Sequence, residues 1–438
     1  MHRRSFLSLS AFAGFAAVRN ARERSLHKRS LHERSQNQQS LHTNQFQHGI
    51  HSPHYGGICT ELPPPISDAE RLERLSKAQR LLNENEMAGL IIDAGTSMEY
   101  FTGIQWYPSE RSLLILIPAK GKPAVICPAF EEDRLREQLT LDMEVLIWQE
   151  HENPFNLVGS YLTDQGLKSG KIGMEERVRF FISDGIANAN SNYSVVSGNP
   201  ITVPCRLIKS AHEIALMQAA TDITTKAILA AVAGLKEGMS NYEIGRIVRN
   251  VHEENGAEHD FALVLVGEAS ALPHGTRKPQ ILKKGDIVLM DCGCRVHGYS
   301  SDVTRTTVFG TPSARQKEIW ELEKKSQEAG FAAAQLGRSA GDVDFAARKV
   351  ITDAGFGPGY KVPGLPHRTG HGIGMDGHEW GNMVKDNPLK LQEGMCFSIE
   401  PTIAIPGEFG VRLEDCVYMT SEGPKWFSKT ANSLKELF

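Results

Sequence analysis

Four acidic residues lie in segments where a solitary carboxylate would be costly to bury. They are Asp291, Asp302, Glu400 and Glu414, and each stands within or beside an apolar run typical of a buried strand. An isolated carboxylate loses several kcal/mol on burial, so four of them in one domain require a shared positive charge. Two divalent metal ions are the simplest source of that charge.

A histidine set among glycines supplies a fifth candidate ligand. His371 is the third residue of the sequence T-G-H-G-I-G-M, in which the glycines permit close approach of the backbone. His367 precedes it by four residues, and His378 follows it by seven. An oxygen-rich ligand set with one imidazole suits manganese or iron, and zinc and cobalt are also compatible. Manganese is the first expectation.

Helix and strand signals place these residues in the second of two folded domains. A capping box at Ser67 opens an amphipathic helix, and apolar runs with one helical stretch at 131–139 follow it. The runs cover residues 89–92, 113–117, 124–127 and 145–148. Strands that alternate with helices predict a smaller α/β domain over residues 62–205.

The second predicted domain covers residues 206–438. Capping boxes at Ser210, Ser240 and Ser313 each open a long helix. Strands are expected near residues 261–267, 286–292, 303–309, 395–402 and 411–419. Long helices that cover a mostly antiparallel, curved sheet make this an α+β domain.

The composition is that of a soluble globular protein. Hydrophobic residues make up 40% and charged residues 23% of 438 residues, and the net charge is -4. This balance gives no basic face, so no nucleic-acid partner is expected. No apolar run reaches the ~18–20 residues of a membrane span. The seven cysteines include no C-x-x-C pair, and Cys292 and Cys294 are expected to pack in a core.

The N-terminus carries a separate signal. An Arg-Arg pair at positions 3 and 4 precedes a short, weakly apolar stretch that ends at Val18. This pattern over residues 1–20 resembles a twin-arginine export signal and predicts a periplasmic location. Further arginines directly beyond the stretch argue against export, and a cytoplasmic tail is the alternative. Residues 21–61, rich in Ser, His, Gln and Arg, are predicted to be a disordered linker.

The motifs around the candidate ligands resemble those of the pita-bread metallopeptidases. The sequences G-Y-S-S-D-V-T-R-T, H-R-T-G-H-G-I-G and G-V-R-L-E-D carry the resemblance, which spans roughly residues 206–430. The family includes methionine aminopeptidase, Xaa-Pro aminopeptidase, prolidase and the metal-free creatinase. The upstream α/β domain resembles that of the last three, whereas methionine aminopeptidase lacks one. The resemblance therefore implies a pita-bread catalytic domain behind a creatinase-like N-terminal domain.

The resemblance also implies a role for each matching ligand. Asp291 would bind one metal ion through both carboxylate oxygens. Asp302 and Glu414 would bridge the two ions. His371 and Glu400 would complete the site of the second ion.

Further residues are implied to act around the reacting groups. His274 occupies the position of the family's catalytic histidine, His378 that of a second histidine near the substrate carbonyl, and Arg412 that of an arginine behind the metal ligands. The two histidines could hydrogen-bond the oxyanion of the tetrahedral intermediate, which is worth roughly 3–4 kcal/mol per donor. Glu400 or a neighbouring carboxylate could pass the proton of the nucleophile to the leaving nitrogen.

The predicted function is hydrolysis of the bond between an N-terminal residue and proline, in a peptide or dipeptide, by a hydroxide that bridges the two ions. The proline preference rests on the resemblance alone. Phe261, His367 and Trp380 are candidate walls of the substrate pocket. Arg368 and Arg412 are candidates for binding the free carboxylate of a dipeptide. Related enzymes are commonly dimers, so a homodimer is expected.

Three alternatives remain. A non-catalytic binding module or a metal-free creatinase-like hydrolase would be expected to lack ligands that this chain retains. The main alternative is a metal-dependent hydrolase or lyase of the same fold that acts on a non-peptide small molecule. It stays open because residues 401–404 read P-T-I-A, where the family often has P-G-I-Y. The exchange removes a glycine and an aromatic residue near the predicted pocket.

Overall fold

A computed structural model describes residues 61–438. The ten α-helices of this part of the chain are α1 (Asp68–Glu84), α2 (Thr96–Thr102), α3 (Glu132–Arg136), α4 (Asn156–Asp164), α5 (Phe180–Ala189), α6 (Asn199–Leu207), α7 (Ala211–Ala233), α8 (Asn241–Glu254), α9 (Ala314–Ala333) and α10 (Ala340–Asp353). Its seventeen strands are β1 (Met87–Asp93), β2 (Leu114–Pro118), β3 (Ala124–Pro128), β4 (Glu144–Trp148), β5 (Gly170–Met174), β6 (Tyr193–Ser197), β7 (Glu258–Val266), β8 (Ile287–Val296), β9 (Tyr299–Ser300), β10 (Val303–Val308), β11 (Gly370–Gly372), β12 (Glu379–Met383), β13 (Cys396–Ile399), β14 (Thr402–Ile405), β15 (Phe409–Arg412), β16 (Asp415–Thr420) and β17 (Gly423–Trp426). Short 3-10 turns lie at Ala129–Glu131 and Gly267–Ala271.

The N-terminal region, residues 61–207, is built on a six-stranded mixed sheet. Its order is β4-β3-β2-β1-β5-β6. The pairs β1–β2 and β2–β3 are antiparallel, and the pairs β3–β4, β1–β5 and β5–β6 are parallel. The central strands β1, β2 and β3 are buried on both faces, which explains why they read as continuous apolar runs. The predicted α/β architecture is confirmed, although the helix predicted at 131–139 is reduced to α3.

The C-terminal region, residues 208–438, combines antiparallel sheets with long helices. One sheet has the order β10-β8-β7, with β9 added to β8, and a second has the order β12-β11-β13-β16-β17. The strands β14 and β15 form a separate pair. Helix α7 packs on α8 and β8, and α9 packs on α10. The predicted α+β architecture is confirmed.

The predicted capping boxes at Ser67, Ser210, Ser240 and Ser313 are all formed. In each, the serine hydroxyl accepts the N–H of the residue three positions on, and that residue's side chain accepts the serine N–H. Ser339 opens α10 in the same way, which the sequence analysis did not anticipate. Local side-chain chemistry therefore determines where these helices begin.

The strand that carries Asp291 is longer than predicted. The sequence places Asp291 at a strand end, whereas β8 continues to Val296. Cys292 and Cys294 explain the extension, because both are fully buried and prolong the apolar face of the strand. Asp291 therefore lies in the middle of a sheet.

Two strands predicted as continuous are interrupted beside acidic residues. The strand expected at 395–402 is divided into β13 and β14 at Glu400 and Pro401, and proline has no N–H to give to a strand ladder. The strand expected at 411–419 is divided into β15 and β16. At that break Glu414 leaves its own sheet and forms an isolated bridge with Thr304.

The predicted export signal at 1–20 lies outside the described residues, as does the predicted linker except for its last position. Among residues 61–438, no helix combines the length and apolar character that crossing a bilayer demands.

A fully buried ion pair anchors the strand next to Asp302. Arg305 Nη2 lies 2.6 Å from Asp415 Oδ1, and neither side chain is exposed to solvent. The same guanidinium donates to four backbone oxygens, those of Thr304, Glu414, Lys429 and Leu437. All five of its N–H groups are thus used, which offsets the desolvation of the two charges.

Replacing Arg305 by Met should lower the free energy of unfolding by about 3–5 kcal/mol, because Asp415 would stay buried without its cation. Denaturant titration followed by circular dichroism measures this change. Arg80→Met is the matched control, since the pair of Arg80 with Glu84 is exposed and should contribute at most about 1 kcal/mol. A loss for Arg305→Met no larger than that of the control would contradict the anchoring role.

Candidate metal centre

Three of the candidate carboxylate ligands meet around the ring of His371, the candidate histidine ligand. The Nε2 atom of His371, on β11, lies 3.2 Å from Glu400 Oε1, 3.7 Å from Asp302 Oδ2 and 3.8 Å from Glu414 Oε1. One ligand atom each of Asp302, His371 and Glu414 falls within 4.8 Å of the others. None of the four side chains is more than 12% exposed. Residues far apart in sequence thus converge on one buried point.

Asp291 faces this group together with Arg412. Nη2 of Arg412 donates to Asp291 Oδ2. The same guanidinium donates to Thr304 Oγ1 at 3.1 Å and to Pro273 O at 3.2 Å. Thr304 is the register partner of Asp291 between β10 and β8. Arg412 therefore bonds one of the candidate ligands and offsets the charge of one of the four carboxylates.

Burial and mutual repulsion raise the pKa of the grouped carboxyls. Burial and then the charges of Glu414, Asp291 and Glu400 raise the pKa of Asp302 well above its ordinary value. Burial, with Glu400 and Asp291 next, does the same to the pKa of Glu414. Burial raises the pKa of Glu400 to about 7, opposed by Arg412 and assisted by Asp291. Without a cation, the group would have to retain protons near neutral pH.

Buried oxygen atoms without partners indicate where cations fit. Asp291 Oδ1, Asp302 Oδ1 and Glu414 Oε1 are buried and accept no hydrogen bond from the described residues. Buried polar atoms in folded proteins are normally bonded. Burial and the neighbouring His378 lower the pKa of His371, so its imidazole is neutral, the form that binds metals. This donor set fits divalent cations.

Two hydroxyl groups that the sequence analysis did not identify hold the candidate ligands in place. Thr304 Oγ1 donates to Glu414 Oε2 at 2.6 Å. Ser398 Oγ donates to Glu400 Oε1 at 3.3 Å and accepts the backbone N–H of His371 at 3.0 Å. Both hydroxyl residues are fully buried. Each lies two positions from a candidate ligand along the chain, and this spacing is the signal in the sequence that could have identified them.

His378 lies directly against the group. Its ring packs on the ring of His371, with centroids 4.1 Å apart and planes at 61°. Burial, Arg368 and His274 lower the pKa of His378, and Asp291 opposes them. His378 therefore lies within electrostatic reach of Asp291 and His274, and it remains accessible to solvent.

His274 approaches the same point from a different loop. It lies in an exposed turn after the 3-10 turn at Gly267–Ala271. Its neighbour Pro273 accepts a hydrogen bond from Arg412, which ties this turn to Asp291. His274 lies within electrostatic reach of His378 and His367, and a separate loop carries it.

His367 has both ring nitrogens engaged within the chain. Nδ1 lies 2.7 Å from Arg368 O, and Nε2 lies 3.0 Å from Thr402 Oγ1. Burial lowers the pKa of His367 to about 4, so the ring is neutral, donates through Nδ1 and accepts through Nε2. His367 therefore offers a fixed wall with no free polar atom on its ring. Its partner Thr402 is one of the residues that depart from the common family sequence.

The remaining candidates for the substrate pocket differ in how far their side chains are already bonded or packed within the chain. Arg368 donates to Asn382 Oδ1 at 2.9 Å, whereas Arg412 is bonded to Asp291. Trp380 is 47% exposed, and its indole N–H donates to Glu176 Oε2 at 2.6 Å. The Phe261 ring packs against Gly293 of β8. Arg368 is the more available of the two arginines for a substrate carboxylate.

Comparison with known proteins identifies the family. The model of metallopeptidase family M24 matches residues 215–421, and that of the creatinase/prolidase N-terminal domain matches residues 74–208. An Xaa-Pro dipeptidase of Lactobacillus helveticus is 32% identical over 369 residues, which cover 82% of this chain and 98% of the relative. The chain belongs to metallopeptidase family M24. It is a metallopeptidase with a creatinase-like N-terminal domain, and its family implies divalent metal ions.

Solved structures share this two-domain architecture. The dipeptidase PepE from Mycobacterium ulcerans has a TM-score of 0.79 and 29% identity, and the match covers 84% of this chain and 98% of that one. A prolidase from Thermococcus sibiricus has a TM-score of 0.74 and 31% identity, with 83% and 98% covered. The predicted creatinase-like, pita-bread fold of this M24 metallopeptidase is confirmed.

Metal analysis of the purified metallopeptidase should find close to two divalent ions per chain. After removal by a chelator, added Mn²⁺ should raise the melting temperature, because an ion at a hundred times its Kd stabilises the folded state by about 2.7 kcal/mol. His371→Ala should abolish most of this rise. His212→Ala is the control, since His212 pairs with Glu70 away from the site. An equal rise in the His371 variant would show that the ion binds elsewhere.

Proposed function

We propose that this M24 metallopeptidase hydrolyses the peptide bond between an N-terminal residue and proline. One observation carries the proposal: three carboxylates converge on a neutral histidine with Asp291 beside them, and three carboxylate oxygens of this group have no partner within the described residues. The relative from Lactobacillus helveticus is named an Xaa-Pro dipeptidase, which supports proline as the second residue.

The proposed site holds two ions. Asp291 is proposed as a ligand of one ion alone, because Arg412 donates to its Oδ2 and leaves its buried Oδ1 without a partner among the described residues. Asp302, His371, Glu400 and Glu414 would hold the ions together with Asp291, since oxygens of these three carboxylates lie within 4 Å of His371 Nε2. Manganese is the proposed metal, with iron, cobalt or zinc as alternatives.

The bound ions would lower the pKa of a shared water and polarise the scissile carbonyl. The chain's own residues then divide the remaining work. Glu400 is proposed to take a proton and deliver it to the proline nitrogen, which has no hydrogen of its own and leaves only when protonated. His274 and His378 are proposed to donate hydrogen bonds to the carbonyl oxygen as negative charge develops on it.

Dipeptides are the proposed substrates rather than long peptides. A dipeptidase needs a cation for the substrate's free carboxylate, and Arg368 stands beside His367 and Asn382 at the edge of the site. The fixed ring of His367 is proposed to limit the space for the proline. A non-peptide substrate remains the second candidate. Threonine stands at position 402, where the family usually has glycine, and its hydroxyl is bonded to His367 at the pocket wall.

We also propose that the enzyme is a homodimer and is exported to the periplasm. Exposed aromatic residues of the N-terminal region support a dimer surface, namely Tyr107, Phe130, Phe180 and Phe181. Arg111, in the loop that also carries Tyr107, lies over Phe130. Export rests on the twin-arginine pattern of the sequence alone.

A substrate panel tests the proposed activity. The manganese-loaded enzyme should hydrolyse Leu-Pro with a kcat/KM at least tenfold above that for Leu-Pro-Gly or Leu-Ala, because the carboxylate clamp and the pocket wall would select a short proline substrate (roughly 1.4 kcal/mol per tenfold). Liquid chromatography of the released leucine measures the rates. Hydrolysis of Leu-Pro-Gly at an equal rate would favour an aminopeptidase. Inactivity toward every proline peptide, with metal bound, would favour the non-peptide alternative.

Replacing His274 by Ala should lower kcat about a hundredfold or more, because one donor to the developing oxyanion is lost. Metal content should stay unchanged, since His274 is not a proposed ligand. His151→Ala is the control for an exposed histidine elsewhere and should leave kcat within about twofold. Steady-state kinetics with Leu-Pro and metal analysis decide the outcome. Unchanged turnover would remove His274 from the mechanism.

A further inference from the structure

A buried charge cluster joins the N-terminal region to the segment that carries His378. We name it the seam cluster: Arg206, Lys209, Asp376 and Glu379. Arg206 Nη2 lies 2.7 Å from Asp376 Oδ2 and 2.5 Å from Glu379 Oε1, and Lys209 Nζ lies 2.9 Å from Glu379 Oε2. None of the four side chains is more than 15% exposed. None of these four residues belongs to a motif around the candidate ligands.

The N-terminal region surrounds Asp376 with further donors. Thr96 Oγ1 donates to Asp376 Oδ1 at 2.8 Å, and Arg177 reaches the two Asp376 oxygens at 3.1 and 3.0 Å. Arg206 itself is held by Ser97 Oγ at 3.0 Å. Burial alone would raise the pKa of Glu379, but Lys209 and Arg206 outweigh it and lower that pKa to about 2. Glu379 is therefore ionised at neutral pH.

The cluster is in direct contact with the backbone that carries the candidate ligands. A Cβ at Gly374 would lie 2.7 Å from Glu379 Oε2 and 2.8 Å from Lys209 Cε, so this ion pair packs on a glycine three residues after His371. The carbonyl of Gly374 accepts the N–H of Ser300 at 2.8 Å, in the turn that leads to Asp302. Any larger residue at position 374 would displace the pair.

His378 lies between the two carboxylates of the cluster, one residue from Glu379 and two from Asp376. The Asp376 N–H also donates to Glu379 Oε1 at 3.2 Å, which closes this segment into a tight loop. Fixing the two ends of so short a loop restricts the direction in which the His378 ring can point. A misplacement of about 1 Å at a catalytic group can lower the rate by roughly a hundredfold.

We propose that Arg206 is a positioning residue, which orients His378 toward the substrate carbonyl by holding Asp376 and Glu379 together. Through Arg206, with Thr96 and Arg177, the N-terminal region takes part in catalysis without touching the substrate. This inference rests on the proposed function for its kinetic consequence, but the orientation of His378 can be measured without any substrate.

Kinetics of Arg206→Met provide the first test, with Leu-Pro as substrate and manganese as the metal. We expect kcat to fall roughly tenfold to a hundredfold, with KM changed less and with Mn²⁺ affinity within about twofold of the wild type. Arg206→Lys should recover part of kcat, because lysine keeps the charge but cannot bond both carboxylates in the same fork. It also serves as the deciding variant if Arg206→Met does not fold.

The matched control is Arg179→Met. Arg179 forms a similar two-bond pair with Asp93 at 2.7 and 3.2 Å, but within the N-terminal region and away from His378. Its loss should lower stability and leave kcat within about twofold. An equal loss of kcat in both variants would overturn the proposal, because it would show a general effect of destabilisation. A parallel loss of Mn²⁺ affinity in Arg206→Met would also overturn it.

The second test is an NMR spectrum of the metal-free protein with ¹³C-labelled histidine. Arg206→Met should shift the His378 ring signal, identified by its absence in His378→Asn, and leave that of His212 in place. An unmoved His378 signal would overturn the proposal. If the wild type fails to cleave any proline peptide, the proposed function fails, and the NMR result alone decides the role of Arg206.

Discussion

Repulsion among buried carboxylates is the constraint around which the C-terminal region is organised. Burial, and then the charges of neighbouring carboxylates, raise the pKa values of Asp302, Glu400 and Glu414. Arg412 is the cation bonded within the group, and of the four carboxylates it donates to Asp291 alone. Such a cluster is stable as carboxylates only when divalent cations neutralise it. The folded region therefore holds carboxylates that repel one another, and bound metal ions would relieve this repulsion. Folding of this region is in this way linked to its chemistry.

The carboxylates are brought together where the surrounding strands are interrupted. Glu400 and Glu414 lie where strands break, so each side chain can turn toward His371 instead of alternating along a sheet. The bridge between Thr304 and Glu414 then joins two separate sheets at the site. Arg305 stabilises this bridge, because its guanidinium donates to the backbone oxygens of both residues. The seam cluster bonds Asp376 and Glu379, on either side of His378, to Arg206. The regular strands and helices thus hold the site rigid, and the breaks between strands let the candidate ligands converge on it.

Much of the fold could be predicted because its signals are local. A serine followed three residues later by an acid or amide starts a helix through hydrogen bonds within four residues, and all four predicted boxes are formed. Continuous apolar runs correctly indicated β1, β2 and β3, which are buried on both faces. The breaks at Glu400 and Glu414 were not predictable, because they follow from pairing with Thr369 and Thr304, which are distant in sequence. Local propensity carries no information about such partners.

The sequence by itself determined the chemical types at the site: four carboxylates in apolar surroundings and a histidine among glycines demand cations wherever the chain folds. Only the tertiary structure decided that they share one point, that Arg412 binds Asp291, and that Thr304 and Ser398 hold Glu414 and Glu400. It also decided that Arg206, an unremarkable basic residue in the sequence, meets Asp376 and Glu379. The physical reason is that the cost of burying a charge is a property of the residue and its immediate surroundings, whereas its compensation depends on groups brought near by the fold.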